Sequence, residues 1–233
     1  MSNVAVIVAA GSSRRMGFDK LTADLAGLPV LAHSLLAFEH CDEVDCIILV
    51  AAADRTEKFR ALAEDNGVTK LVMVVEGGEE RCTSVCHGVE AAMKEVPDAE
   101  IVLVHDGARP LVSGDAIVQC IHGARKHGAA SLARQVTDTL KQADDSAMVG
   151  SSVSRENLWA METPQVFEAD LILRASRAAV GDAVVVTDEV SAVQRIDEDQ
   201  AIYLVENVTA NPKITFPGDL AIAEALLAKE QHS

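Results

Sequence analysis

Basic residues are scarce. The chain has 20 lysines and arginines against 36 aspartates and glutamates among 233 residues, a formal net charge of −16. A non-specific nucleic-acid binder needs a positive face, so this balance argues against one. Long apolar runs are also missing. No stretch approaches the roughly 20 residues of a membrane span, and the first apolar run is too short, with no charged segment before it, for a signal peptide. We therefore expect a cytoplasmic protein with neither nucleic acid nor membrane as partner. Cysteine offers no framework: Cys41, Cys46, Cys82, Cys86 and Cys120 are odd in number and lack C-x-x-C spacing. That points to reduced, partly buried thiols rather than disulfides or a zinc site. Repeats, low-complexity tracts and linkers are absent too. We expect one domain, residues 1–233.

What is present is material for a core, since 49% of the residues are hydrophobic, which makes disorder implausible. The organising stretch is Val4–Lys20, VAVIVAAGSSRRMGFDK. An apolar run bounded by glycine reads as a strand buried on both faces of a parallel sheet. Small residues and then cations follow, which suits a loop holding anionic oxygens at the strand's carboxyl end. The loop fits neither G-x-G-x-x-G nor G-x-x-x-x-G-K-[ST], because Ser12 and Ser13 follow Gly11 and Phe18 and Asp19 follow Gly17. It would be a third way of cradling phosphate, unless it is a surface turn with chance charges.

Further apolar, β-branched runs stand at Cys46–Val50, Leu71–Val75 and Ile101–Val104. Between them lie helical patterns: one opened by Pro29, then Thr56–Asn66, Thr83–Lys94 and Asp115–Lys126, the second and last of these four stopped by Gly67 and Gly128. Alternation of this kind predicts right-handed βαβ crossovers and a parallel sheet, with ligands beyond the carboxyl ends of the strands. The pattern breaks after Ala133. An arm at about 136–160 is expected there, with Thr137–Gln142 and Ala147–Val153 paired as a hairpin around Asp144-Asp145-Ser146. Helices at Glu168–Val180, Asp188–Arg195 and Pro217–Lys229 and a strand at Ala201–Val205 complete the reading.

The strand-end and loop motifs, in order, are AAGSSRRMGFDK, EGGEER, VHDGARP, VTDTLK, SRENLW with ETPQ, VTDEVSA and NPKIT. They hold Arg14, Arg15, Lys20, Arg81, Arg109, Lys141, Arg155 and Lys213, eight of the chain's 20 cations. Cations with one or two carboxylates suit phosphoryl or nucleotidyl transfer, which needs charge neutralisation and positioning more than a nucleophilic side chain. Asp106 directly follows a buried strand and can help hold Mg²⁺, or else brace a turn. Lys213 is either a site lysine or a solvated turn lysine. His105 has no Ser or Cys motif to pair with and reads as structural. Ser84 divides evenly between ligand contact and helix start. Asp188 and Glu189 read as acids at a helix N-terminus. Trp159, the only tryptophan, reads as an anchor for the arm.

In combination, A-A-G-x-x-x-R-M, G-G-x-E-R-x-x-S, V-H-D-x-A-R-P, T-P-Q and T-D-E-x-S resemble the 2-C-methyl-D-erythritol 4-phosphate cytidylyltransferases of non-mevalonate isoprenoid synthesis. The resemblance spans essentially the whole chain. It implies an α/β fold, a Rossmann-like mostly parallel sheet with helices on both faces, and an arm that clasps a second subunit into a homodimer. It implies transfer of CMP from CTP to the polyol phosphate, with Mg²⁺ as cofactor. Ala9, Ala10 and Gly11 would cradle the nucleotide, and Gly78 and Ser84 would recognise cytosine. Arg15 and Lys20 would bind the triphosphate, with Lys213 near the α-phosphate. Asp106 would hold the metal, and Arg109 would shape the same loop at the substrate pocket. Thr139 and Arg155, on the arm, would grip the polyol phosphate across the dimer interface. Thr163 and Thr187 would add pocket hydroxyls.

The chain departs from that family in two places. Phe18-Asp19-Lys20-Leu21 stands where proline usually precedes the lysine and glutamine follows it, in a loop about two residues shorter, so Asp19 puts a negative charge beside Lys20. The arm reads Ser154-Arg155-Glu156-Asn157 where Asp-Arg-Asn-Gly is common. A cytidylyltransferase for another polyol phosphate, such as ribitol 5-phosphate, and a non-catalytic nucleotide-binding protein are the alternatives. Retention of Lys20, Lys213 and Asp106 argues against the second.

Overall fold

The computed structural model describes residues 2–11, 17–181 and 186–230. In chain order the elements are β1 (Ser2–Ala9), β2 (Asp24–Leu25), β3 (Leu28–Pro29), α1 (Val30–Glu39), β4 (Cys46–Ala51), α2 (Thr56–Asp65), β5 (Leu71–Glu76) and α3 (Arg81–Glu95). There follow β6 (Ala99–Asp106), α4 (Gly114–His127), β7 (Ala129–Gln135), β8 (Leu140–Ala143), β9 (Val149–Val153) and β10 (Trp159–Glu168). The chain ends with α5 (Ala169–Gly181), α6 (Glu189–Ile196), β11 (Tyr203–Glu206) and α7 (Pro217–Glu230).

Seven strands form one sheet in the order β11-β7-β10-β6-β1-β4-β5. Only β10 runs against its neighbours; the other pairs in the sheet are parallel. The sheet is therefore mostly parallel, with helices on both faces. β1 shows why its sequence is an unbroken apolar run. Ala5, Ile7 and Ala9 join the core under α1, α2 and α4, while Val4 and Val6 join the core under α3, α5 and α6. A strand covered on both sides has no face left for polar residues. Helix ends follow their signals: the Ser113 hydroxyl accepts the Ala116 N–H at 3.2 Å to open α4, and Gly128, at φ 84°, closes it.

Two sheet strands depart from the sequence reading. β7 is built as AASLARQ and is absent from the sequence reading, because its buried half is mostly alanine and lacks the branched run that marks β1, β4 and β6. A Cβ on Gly123 would lie 2.9 Å from the Ala130 Cβ, so α4 approaches too closely for anything larger. β10 contains Pro164, which cannot donate to a ladder; the β7–β10 register shifts between Met161 and Gln165 to accommodate it. Trp159 and Ala160 pair with Gln135 and Arg134 in the main sheet, so the arm is narrower than the expected 136–160. Its root closes where the Val136 N–H meets the Leu158 carbonyl at 3.0 Å. Within it β8 and β9 pair antiparallel, Leu140 opposite Val153. Among the described residues no helix is long and apolar enough to cross a membrane.

Candidate functional site

β6 ends at Asp106, at the carboxyl edge of the sheet between β10 and β1. The loop beyond it folds back on β1: Gly107 N–H donates to the Val8 carbonyl at 2.9 Å, and the Ser34 hydroxyl donates to the Gly107 carbonyl at 3.0 Å. A Cβ on Gly107 would come within 3.0 Å of Leu31 and 3.3 Å of the Val8 oxygen, so a side chain there would push the loop off the strand. On the other side of β1, Gly77 sits against Ala10 so closely that a Cβ would lie 2.5 Å from the Ala10 methyl. The β1 and β5 loops thus lie directly against each other at Ala10 and Gly77.

Three cations converge on Asp106. Lys213 Nζ lies 2.7 Å from Oδ2, Arg81 Nη2 lies 3.3 Å from Oδ1, and Arg109 Nε lies 3.7 Å from Oδ2. Burial alone would push this carboxyl up. Arg81, Lys213 and Arg109 outweigh that and hold it well below the ordinary carboxylate range. Arg81 also forms a two-point contact with the buried Glu189, with Nη2 to Oε2 at 2.9 Å. Burial works to lower the Arg81 value, but Glu189 and Asp106 carry it above its ordinary one. The Glu189 carboxyl is pushed up by burial, and Arg81 opposes the rise without cancelling it.

Further hydrogen bonds hold these pieces in place. Thr163 Oγ1 accepts the Asp106 N–H at 3.1 Å and donates to His105 Nδ1 at 3.0 Å. His105 Nε2 therefore carries the ring proton and gives it to the Arg109 carbonyl at 3.1 Å. Burial lowers His105 to about 4, so the ring is neutral and structural, as expected. Arg109 Nη1 donates to the Asn211 carbonyl at 2.7 Å, which ties the VHDGARP and NPKIT loops together. Lys20 Nζ donates to the Ile214 carbonyl at 2.7 Å, one residue beyond Lys213. The side chain of Gln165 clamps the start of α6. Its Oε1 accepts the Glu189 and Val190 N–H groups, each at 3.0 Å, and its Nε2 donates to Asp188 at 2.9 Å.

The expected site residues do not all meet at one place. Lys213, Asp106, Arg109 and Thr163 are brought together, and Lys20 reaches the same NPKIT loop. The Thr163 hydroxyl, however, is buried between Asp106 and His105 rather than offered to a ligand. Gly78 and Ser84 form a closed turn at the start of α3: Ser84 Oγ accepts the Gly78 N–H at 3.1 Å. Thr187 is exposed, with its hydroxyl 3.3 Å from Ser191. Thr139 and Arg155 lie on the exposed arm, where Arg155 donates to the Thr137 carbonyl; among the described residues no hydrogen bond or ion pair joins either to the Asp106 cluster. Arg15 lies outside the described residues, as does Arg14. The sequence reading missed Arg81 and Glu189 as a pair. Asp188 does cap α6, but the neighbouring Glu189 turns to Arg81. The only signal was that each stood in a motif already singled out.

Asp106 fits a magnesium ion as a single hard oxygen donor. Among the described residues no group of three or more His, Cys, Asp or Glu could form a metal cage. Mg²⁺ commonly takes one or two carboxylates and fills its octahedron with substrate phosphates and water. Such a site depends on the nucleotide to complete it.

The family model for IspD, 2-C-methyl-D-erythritol 4-phosphate cytidylyltransferase, matches residues 3–229. A 2-C-methyl-D-erythritol 4-phosphate cytidylyltransferase of Pelotomaculum thermopropionicum is 40% identical over 230 residues, covering 97% of this chain and 94% of its own. A bifunctional IspD/IspF enzyme of Desulforudis audaxviator is 40% identical over 227 residues, covering 96% of this chain and 56% of its own. Among solved structures, the 4-diphosphocytidyl-2C-methyl-D-erythritol synthase of Anaerococcus prevotii gives a TM-score of 0.85 at 30% identity, covering 97% of this chain and 96% of that one. The Thermus thermophilus cytidylyltransferase gives 0.77 at 29% identity, covering 98% and 100%. The chain belongs to the 2-C-methyl-D-erythritol 4-phosphate cytidylyltransferase family.

Proposed function

We propose that this chain transfers CMP from CTP to 2-C-methyl-D-erythritol 4-phosphate, giving 4-diphosphocytidyl-2-C-methyl-D-erythritol and pyrophosphate in isoprenoid precursor synthesis. The observation that carries the reading beyond family membership is the convergence of Lys213, Arg81 and Arg109 on Asp106 at the end of β6. In this reaction an acceptor phosphate oxygen attacks the α-phosphorus while pyrophosphate leaves from the opposite side. Both reactants are anions, so the barrier is dominated by repulsion and by charge gathering on the transferring group. Lys213 and Lys20 supply that charge, with Arg15 added from the β1 loop. The acceptor oxygen is already ionised at neutral pH and needs no general base, which agrees with a neutral, enclosed His105.

Asp106 would hold Mg²⁺, and the ion when bound would neutralise phosphate oxygens as a Lewis acid. Arg81 and Arg109 keep the Asp106 carboxylate ionised and oriented, and Thr163 fixes its backbone. Ala9, Ala10, Gly11, Gly78 and Ser84 form the nucleotide cradle. Thr187, and from the arm of a second copy Thr139 and Arg155, meet the polyol phosphate in a homodimer. Residues 1–233 act as one domain with the arm as its excursion. The test is pyrophosphate release from the pure protein with Mg²⁺, each of the four nucleoside triphosphates, and methylerythritol phosphate or ribitol phosphate. Release with CTP and methylerythritol phosphate is expected. Its absence, or equal use of ribitol phosphate, would overturn the assignment.

A further inference from the structure

A carboxylate directly beside a lysine that must meet a triphosphate is an electrostatic conflict. At separations of a few ångströms, the acid cancels part of the lysine's attraction and repels the incoming anion. Asp19 is the residue directly before Lys20 in the chain. Its carboxylate is engaged elsewhere: Oδ1 lies 3.2 Å from Arg55 Nη1 and Oδ2 lies 3.6 Å from Lys58 Nζ. Arg55 ends the short turn Ala53–Arg55 between β4 and α2, and Lys58 lies in the first turn of α2. The ion pair is sheltered, since the Arg55 and Asp19 side chains are only 18% and 22% exposed, so salt screens it less than an open surface pair.

The same carboxylate closes the turn that carries Lys20. Asp19 Oδ1 accepts the Leu21 N–H at 3.2 Å, and the Asp19 carbonyl accepts the Thr22 N–H and hydroxyl, each at 3.3 Å. Leu21 is buried, and its carbonyl accepts the Leu31 N–H at 2.9 Å. Lys20 is thus flanked by an ion-paired anchor and a buried one, while its amine leaves the turn toward Ile214.

We propose that Arg55 is a positioning residue for triphosphate binding: it acts through Asp19, holding that carboxylate toward the β4–α2 connection and pinning the turn that presents Lys20. The inference rests on the reading of Lys20 as a triphosphate ligand and is independent of the acceptor.

The test compares Arg55→Met, Arg55→Lys, Asp19→Asn and the double variant Asp19→Asn with Arg55→Met. Tripolyphosphate binding is measured by calorimetry, and thermal unfolding confirms that each variant folds. Arg55→Met should weaken binding about five- to tenfold, because it removes the closer and better sheltered of the two cations on Asp19 and leaves only the exposed Lys58 to offset that charge beside Lys20. Arg55→Lys should bind within about twofold of the unmodified chain, since it keeps the charge. Asp19→Asn keeps the acceptor for Leu21 and should stay within about threefold. The double variant should recover most of the loss seen with Arg55→Met alone. A merely structural Arg55 would not give that recovery. Unchanged binding by Arg55→Met, a double variant no tighter than Arg55→Met, or an unmodified chain that does not bind tripolyphosphate would each overturn the inference. A chain that binds tripolyphosphate with this pattern but transfers no CMP would overturn the proposed function and support this inference.

Discussion

Lys213 Nζ sits 2.7 Å from Asp106 Oδ2, so the lysine assigned to the reacting phosphate is held by the carboxylate assigned to the metal. Before nucleotide binds, each satisfies the other. On the proposed function, a triphosphate with its cation would offer new partners to both, so that neither charge need pass through an unpartnered state. Pre-formed charge of this kind needs little reorganisation during reaction.

Replacing Lys213 with alanine therefore removes the cation proposed to act on developing charge but leaves Asp106 with Arg81 and Arg109. We expect kcat to fall by roughly two to three orders of magnitude. The unfolding temperature should move by only a few degrees, since the Lys213 side chain is 39% exposed. Steady-state pyrophosphate release and a thermal melt check this. A kcat within a factor of about three of the unmodified enzyme would remove Lys213 from the chemistry.

Gln165 carries structural weight that its polarity disguises. It is 1% exposed, and its amide joins β10 to the N-terminus of α6, from which Glu189 reaches Arg81. Gln165→Ala strands two buried N–H donors and should cost about 3 kcal/mol, read from urea unfolding. Gln165→Glu should not rescue it, because the new carboxylate would face Asp188. A loss below about 1 kcal/mol would show that α6 is held by its apolar packing alone.

His105 gives a defined pH dependence. Its value falls from 6.5 to about 4 on folding because burial disfavours the charged ring. Between those values the unfolded chain binds the proton more readily. The contribution is therefore complete above about pH 6.5 and lost as pH falls toward 4, a change of about 3 kcal/mol. Asp106, whose folded value lies below its ordinary 3.8, keeps its contribution above that pH and loses it only in stronger acid. His105→Asn retains an acceptor for Thr163 and removes the titration. Its urea midpoint at pH 7 should be lower, and its slope between pH 6.5 and 4 flatter. Parallel curves for the two proteins would show that other groups govern acid sensitivity.

Legibility in the sequence tracked how each element is buried. β1, β4 and β6 are covered on both faces, and their unbroken Val, Ile and Leu runs announce it. β7 was hidden because close approach by α4 selects alanine. β10 was hidden because Glu162, Thr163 and Gln165 are buried yet polar, each satisfied by partners distant in sequence. The same distinction holds at the site. Charges placed at strand ends by the βαβ pattern were readable. The pairing of Arg81 with Glu189, 108 residues apart, depends on α3 and α6 both packing against α5, which no local pattern encodes. Asp19 looked like a defect beside Lys20 until Arg55 and Lys58 were placed against it.

The arm is the last test. β8 and β9 form a sheet of only two strands, and a lone hairpin is marginal in water. Leu140, Met148, Val149 and Val153 are nonetheless exposed on it, Met148 and Val149 by 67% and 69%. Apolar side chains concentrated on an otherwise unsupported hairpin need a second surface, and a copy of the same chain supplies one in the proposed homodimer. Met148→Asp with Val149→Asp should shift the protein from dimer to monomer in light scattering while leaving the body's melting transition in place. Because Arg155 is proposed to reach the site of the partner copy, that monomer should lose turnover yet still bind CTP. Arg155→Ala alone should raise KM for methylerythritol phosphate more than KM for CTP and leave the dimer intact. A double variant that remains dimeric would remove the arm from the interface, and an Arg155→Ala effect confined to CTP would place that arginine at the nucleotide instead.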